Sequence, residues 1–213
     1  MAFTEGVLFG PAFLDCLRKW IATHHTVYPQ VPPQGIYFES LVERAFLDAG
    51  WPREQVVLEN PNSPKADIRV GDFRLSLKTE TGRGTKRDSI NITKLCTTET
   101  CAWTSAALIG HAMSHLSRYE GVLMLRCVWG IGDVVDYQLV DIPMTLLKSM
   151  CRFEAVPVGR RSGRKSMAFD VSDGDVVLFH VHFDGADGKC QVQRLRRDRC
   201  LTLVEWSERP PDL

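Results

Sequence analysis

Asp67 and the run Ser76-Leu77-Lys78-Thr79-Glu80 carry residue types and a spacing that can do chemistry. Side chains alternate along an extended strand, so Ser76, Lys78 and Glu80 share one face while Phe73, Leu75 and Leu77 point to the core. Gly71-Asp72 separates two strand-like runs, 66–70 and 73–79, and reads as the turn of a tight hairpin. That hairpin sets Asp67 on the neighbouring strand, close to Ser76 and Lys78. A carboxylate beside an ammonium suits phosphodiester hydrolysis. The acid would hold Mg²⁺, which polarises the phosphate and lowers the pKa of a bound water, and the ammonium would position or activate that water. The same two charges also suit an ordinary ion pair on a solvated strand face.

The elements that must position this pair can be read outward from it. Phe13, Leu14, Leu17, Trp20 and Ile21 recur at helical spacing within 10–25, and a Pro-rich loop follows over 28–35. Phe38, Leu41, Val42, Ala45, Phe46 and Ala49 form one apolar stripe on a helix over 36–49, with Glu39 and Glu43 beside it. Gly50 and Pro52 stop that helix. Residues 55–58 predict a short strand, and Asn60-Pro61-Asn62-Ser63-Pro64 is turn chemistry. Residues 81–88 form a basic, Gly-rich loop. The run 90–95 alternates like a strand, or leads into a helix capped by Thr97 or Thr98. A helix is expected over 103–119, and an apolar, central strand over 121–129. A strand over 136–142 and a helix from Pro143 to about 151 come next. Residues 156–165 read as a basic loop. Strands at 168–171, 176–183, 191–195 and 201–206 complete the chain, with a hairpin turn at 184–188. This order predicts an α/β fold, a central mixed β-sheet flanked by helices.

The 213 residues allow one medium-sized domain, with a core over about 36–150 and a β-rich part over 151–213 that could touch a ligand. Twenty-six Lys and Arg balance twenty-six Asp and Glu, so only local patches can attract a polyanion. The Met1 end lacks a basic stretch followed by an apolar one, and no run approaches a membrane span. The expected location is cytoplasmic. Seven scattered cysteines read as reduced thiols, and Cys96 and Cys101 lack a second close pair for zinc. His111 and His115 have the i, i+4 spacing of helical zinc ligands but no intervening glutamate, and read as packing residues. His180 and His182 share a strand face and could bind metal or touch DNA bases.

Asp67, followed after eight residues by Ser76-Leu77-Lys78, resembles the PD-(D/E)xK nuclease superfamily, which includes most type II restriction endonucleases. The helix bearing Phe38-Glu39-Ser40-Leu41-Val42-Glu43, the hairpin, the basic loop and the later helix and strand follow that family's core order over roughly 36–145. The resemblance implies a restriction-endonuclease-like core with a β-rich C-terminal extension, acting on double-stranded DNA with Mg²⁺. It implies Asp67 as principal metal ligand, Lys78 as catalytic lysine and the Leu77 carbonyl as a further ligand. Glu39 matches the acid that approaches from the first core helix. The departure is Ser76, where the family usually carries an acid, so Glu80 or Glu39 must supply the second carboxylate as catalytic residue and metal ligand. A homodimer suits a palindromic site, and a cognate DNA methyltransferase encoded nearby is expected.

Backbone affinity for DNA needs clustered Lys and Arg. Arg83, Lys86, Arg87 and Lys94 follow the catalytic strand and are the first choice. Arg160, Arg161, Arg164 and Lys165 make a second cluster whose arginines could read guanine edges. Arg194, Arg196, Arg197 and Arg199 make a third, equally readable as a solvated charge run. The leading reading is a type II restriction endonuclease. A structure-specific or repair nuclease of the same fold, or a catalytically dead DNA-binding relative, are the alternatives.

Overall fold

Helix α1 (Pro11–Val27) starts on a proline at its first turn, where a missing N–H costs nothing, and buries Phe13, Leu17, Ile21 and His25. Helix α2 (Ile36–Asp48) buries Phe38, Val42, Ala45 and Phe46, and the Phe13 and Phe46 rings stack at 4.0 Å between centroids. The expected stop at Gly50 has a physical form. Gly50 takes φ +95°, its N–H donates to the Leu47 carbonyl, and Trp51 N–H donates to Phe46, which closes the helix end. Trp51 then packs edge-on against Phe46. These coordinates are a computed structural model, which describes residues 8–59, 66–159 and 165–209. The turn expected at 60–64 lies outside the described residues.

The chain divides into two compact units. Unit 1 comprises 1–85, 119–141 and 201–213, and unit 2 comprises 86–118 and 142–200. The stretch after 150, expected as a β-rich extension of one domain, supplies most of unit 2. Its last strand returns to unit 1 because it pairs there.

Unit 1 holds α1, α2 and a six-stranded sheet in the order β1-β2-β3-β5-β6-β11. The strands are β1 (Val56–Leu58), β2 (Ile68–Val70), β3 (Phe73–Glu80), β5 (Gly121–Trp129), β6 (Val135–Ile142) and β11 (Leu201–Glu208). Strands β1, β2 and β3 pair antiparallel, β3 runs parallel to β5, and β6 pairs antiparallel with β11, so the sheet is mixed as expected. Leu75 and Leu77 of β3 join Leu123, Leu125 and Tyr137 in one core with the apolar stripes of α1 and α2. β5 lies inside the sheet and is buried from Val122 to Val128, which explains its unbroken apolar run.

Unit 2 is an antiparallel sheet in the order β4-β10-β9-β8-β7. Its strands are β4 (Ser89–Thr97), β7 (Val156–Val158), β8 (Ser166–Asp173), β9 (Val176–Asp184) and β10 (Lys189–Arg196). Helices α3 (Ser105–Leu116) and α4 (Met144–Lys148) belong to the same unit. Of the two readings for 90–95, the strand is realised. The helix cap is Thr104, whose hydroxyl accepts the Ala107 N–H, and not Thr97 or Thr98. The first residues of the supposed basic loop form β7 instead, since Pro157 is tolerated at a sheet edge. Among the described residues no helix is long and apolar enough to cross a membrane.

Candidate active site

The β2–β3 hairpin builds the centre. Asp67 stands just ahead of β2, and its N–H donates to the Leu75 carbonyl at 3.0 Å, which fixes its backbone against β3. Three donors converge on one carboxylate oxygen, Oδ2. They are the Leu77 N–H at 2.6 Å, the Ser76 hydroxyl at 3.0 Å and the Lys78 ammonium at 3.4 Å. The ammonium also donates to the Leu77 carbonyl at 3.2 Å. A cationic group therefore already lies against the two oxygens expected to ligate a metal.

Ser76 is 1% exposed, so its hydroxyl is committed to Asp67 rather than to water. What reads in the sequence as a missing acid is a donor that holds the remaining acid in place. Sequence reasoning missed that role, although the even spacing of Ser76 and Lys78 on the strand face across from Asp67 was its signal.

Glu39 enters from the first turn of α2. Burial raises its carboxyl above the ordinary carboxylate range, the negative charge of Asp67 pushes the same way, and Lys78 partly offsets both. Glu39 thus feels both members of the pair. Asp67, the Leu77 carbonyl and the Glu39 carboxylate are oxygen donors of the kind that suits a hard divalent cation. Among the described residues there is no group of three or more His, Cys, Asp or Glu that could hold a metal ion.

Glu80 is placed differently. It lies opposite Arg126 in the β3–β5 register, and the Arg126 Nε donates to it at 2.9 Å. Arg126 is fully buried and also donates to Gln138, which in turn donates to Glu205 at 3.1 Å. This polar row crosses β3, β5, β6 and β11. A lone arginine in the otherwise apolar run of β5 was its sequence signal, and it went unread.

The basic residues separate as well. Arg83 donates to Asp133 at 2.9 Å and to Gln30, and its guanidinium lies 4.3 Å from the Trp129 ring centroid, all inside unit 1. Trp129 pins the start of the same loop through the Thr81 carbonyl. Lys86, Arg87 and Lys94 are exposed in unit 2. Lys165 is exposed too, and its carbonyl accepts the Trp103 indole N–H. Arg160, Arg161 and Arg164 lie outside the described residues. His111 and His115 are half-buried on α3, and His180 hydrogen-bonds Asp170 at 2.8 Å. All seven cysteines are free.

A type II restriction enzyme, SmaI of Serratia marcescens, is 26% identical over 210 residues, covering 95% of this chain and 82% of that protein. Among solved structures, a restriction endonuclease in complex with substrate DNA matches with a TM-score of 0.34 and 15% identity, covering 66% of this chain and 70% of that one. The family model of SmaI-type enzymes, type II site-specific deoxyribonucleases, matches residues 8–208. That match runs through both units, and the chain belongs to the SmaI family of type II site-specific deoxyribonucleases.

Proposed function

We propose that this enzyme cuts double-stranded DNA at a specific sequence by Mg²⁺-dependent hydrolysis at the Asp67–Lys78 centre. The observation that carries the reading is that the Lys78 ammonium donates to both the Asp67 carboxylate, at 3.4 Å, and the Leu77 carbonyl, at 3.2 Å. Asp67, Glu39 and the Leu77 carbonyl are the groups that would hold the cation. When bound, it supplies positive charge to the phosphate and lowers the pKa of a water.

The chain's own residues do the rest. Asp67 is held rigid by Ser76 and the Leu77 N–H, so its carboxylate is preorganised. Lys78 orients the attacking water and carries positive charge toward the phosphate as the new P–O bond forms and the leaving oxygen departs. Glu39 brings the second negative charge that Ser76 does not. Glu80 we assign to Arg126 as a support, since its carboxylate is already engaged there.

A homodimer would present two such centres to a palindromic site, and a cognate methyltransferase would protect host DNA in the cytoplasm. Plasmid digestion tests the reading. With Mg²⁺ the wild type should give a discrete band pattern, and no cleavage with EDTA. A smear at every enzyme concentration would favour a nonspecific or structure-selective nuclease. DNA binding without any cutting would mark a catalytically dead relative.

A further inference from the structure

The neutral total charge hides a division. Unit 2 carries fifteen Lys and Arg against nine Asp and Glu, a net charge of +6, while unit 1 carries eleven against seventeen, a net charge of −6. The acidic unit holds the catalytic carboxylates. The basic unit contains an open cleft of about 730 Å³, lined among others by Lys86, Arg194, Arg196 and Arg197, with Asp88 and Asp198. Lys86 comes from the cluster after the catalytic strand and the arginines from the third cluster, more than a hundred residues later. The fold joins them because β4 and β10 pair antiparallel and the Arg197 N–H donates to the Asp88 carbonyl at 3.0 Å.

The charges in the cleft do not cancel. The lining holds four positive side chains, Lys86, Arg194, Arg196 and Arg197, against two negative ones, Asp88 and Asp198, and Arg196 is paired with Asp198 through two hydrogen bonds. Arg194 is the telling member. It has φ +54°, a left-handed backbone uncommon for a residue of its size, where the β4–β10 register shifts between Val192 and Leu195. Its N–H is secured by the Asn91 side chain at 3.0 Å, and its side chain is 69% exposed. A bulge of this kind re-aims one side chain, and a strained backbone that persists points to use. The carboxylate nearest Arg194, Asp170, stands at 3.6 Å and has His180 as its own partner at 2.8 Å. Arg194 can therefore turn to another anion without stranding Asp170.

We propose that this cleft takes a phosphate of the DNA backbone, with Arg194, Arg197 and Lys86 as its contacts. The inference rests on the nuclease reading and adds the third basic cluster to the DNA-binding surface. A cleft of this charge reads no bases, so it would grip every duplex alike.

The test is duplex binding without divalent metal, over a series of salt concentrations, for the wild type and for R194G, R194K and K86Q. Glycine suits φ +54°, so R194G should melt no lower than the wild type while binding duplex about five- to tenfold more weakly. The slope of log K against log salt should flatten by about 0.9, one phosphate contact, equally for any duplex sequence. R194K, which keeps the charge, should recover most of the binding, and K86Q should flatten the slope in the same way. Unchanged slopes in R194G and K86Q would overturn the assignment, as would a loss confined to one DNA sequence. Stabilisation by inorganic phosphate that R194G removes, with duplex binding unchanged, would make the cleft a free-anion site and also overturn it. Wild-type plasmid cleavage with Mg²⁺ is read separately. Cutting with unchanged slopes sinks only the cleft, whereas a wild type that neither binds nor cuts DNA sinks both readings.

Discussion

Unit 1 and unit 2 are built on opposite electrostatic plans. Unit 1 carries the excess acid and offsets it locally at the site, through Lys78 beside Asp67 and Arg126 beside Glu80. Unit 2 spreads excess base over strands and loops and leaves the arginine at its bulge largely in solvent. A phosphodiesterase has both needs. Holding a cation requires clustered carboxylates, whose charge repels a polyanion, while gripping DNA requires the reverse. Dividing the two between units lets each be strong, and a total charge of zero says nothing about either.

The sharpest way to break this comparison is to disable each unit separately. Asp67→Ala and Lys78→Ala should each lower cleavage by at least about a thousandfold, the several kcal/mol that metal-assisted catalysis supplies. Duplex affinity in metal-free buffer should hold or rise slightly for Asp67→Ala, which removes a negative charge, and fall only modestly for Lys78→Ala, which removes a single positive one. Gel-shift and single-turnover cleavage on the same preparations read both quantities. A Lys78→Ala protein that cuts at the wild-type rate would remove the proposed centre altogether.

The second break concerns how unit 1 tolerates a buried charge. Arg126→Met leaves Glu80 without its guanidinium in a sheet interior, and should cost about 3–5 kcal/mol of stability by urea unfolding. Adding Glu80→Gln should restore part of that loss, since the stranded charge goes with it. If Glu80 instead serves a metal, the single change Glu80→Gln would abolish cutting while stability held, and the role assigned here to Arg126 would fall.

Much of this was legible because local rules and the fold agreed. Gly50 announced the end of α2, Gly71-Asp72 announced the hairpin, and period two placed Lys78 on the strand face across from Asp67. Apolar continuity placed β5 inside the sheet. What stayed hidden depended on partners distant in sequence. Glu80 looked available on its strand face until the parallel β3–β5 register put Arg126 beside it. The partners of Arg83, Asp133 and Trp129, lie some fifty residues on and could not be read from its own cluster. The two units were unreadable because each is assembled from separated segments, and charge counted along the chain averages over both.

Ser76 offers a finer test of how far unit 1 is preorganised. Ser76→Ala removes one of three donors on Asp67 Oδ2 and nothing else in the site. Cleavage should fall about tenfold, close to 1.4 kcal/mol, with most of the loss in the Mg²⁺ concentration needed for half-maximal rate. A drop of a thousandfold would mean that Ser76 does more than hold Asp67. No change at all would mean that the Leu77 N–H and Lys78 suffice.

The smallest expected effect follows from the sign of the Glu39 shift. Burial and the Asp67 charge raise its carboxyl, so the folded protein binds a proton there more readily than the unfolded chain does. The stability associated with that proton is present at pH below the unfolded value and is lost as pH rises through the raised one. At neutral pH the metal-free enzyme therefore carries a small strain in its acid pair. Glu39→Gln should relieve it, raising the metal-free melting temperature by roughly 1–2 °C once solvent screening of a half-buried group is allowed for. Mg²⁺ should stabilise the wild type more than the variant, because the cation offsets the same repulsion. Lowering pH through the raised Glu39 pKa should close that gap, as a protonated Glu39 no longer repels Asp67 or holds a cation. If Mg²⁺ stabilises both proteins equally at every pH, Glu39 stands beside the centre without belonging to it, and the second carboxylate must come from elsewhere.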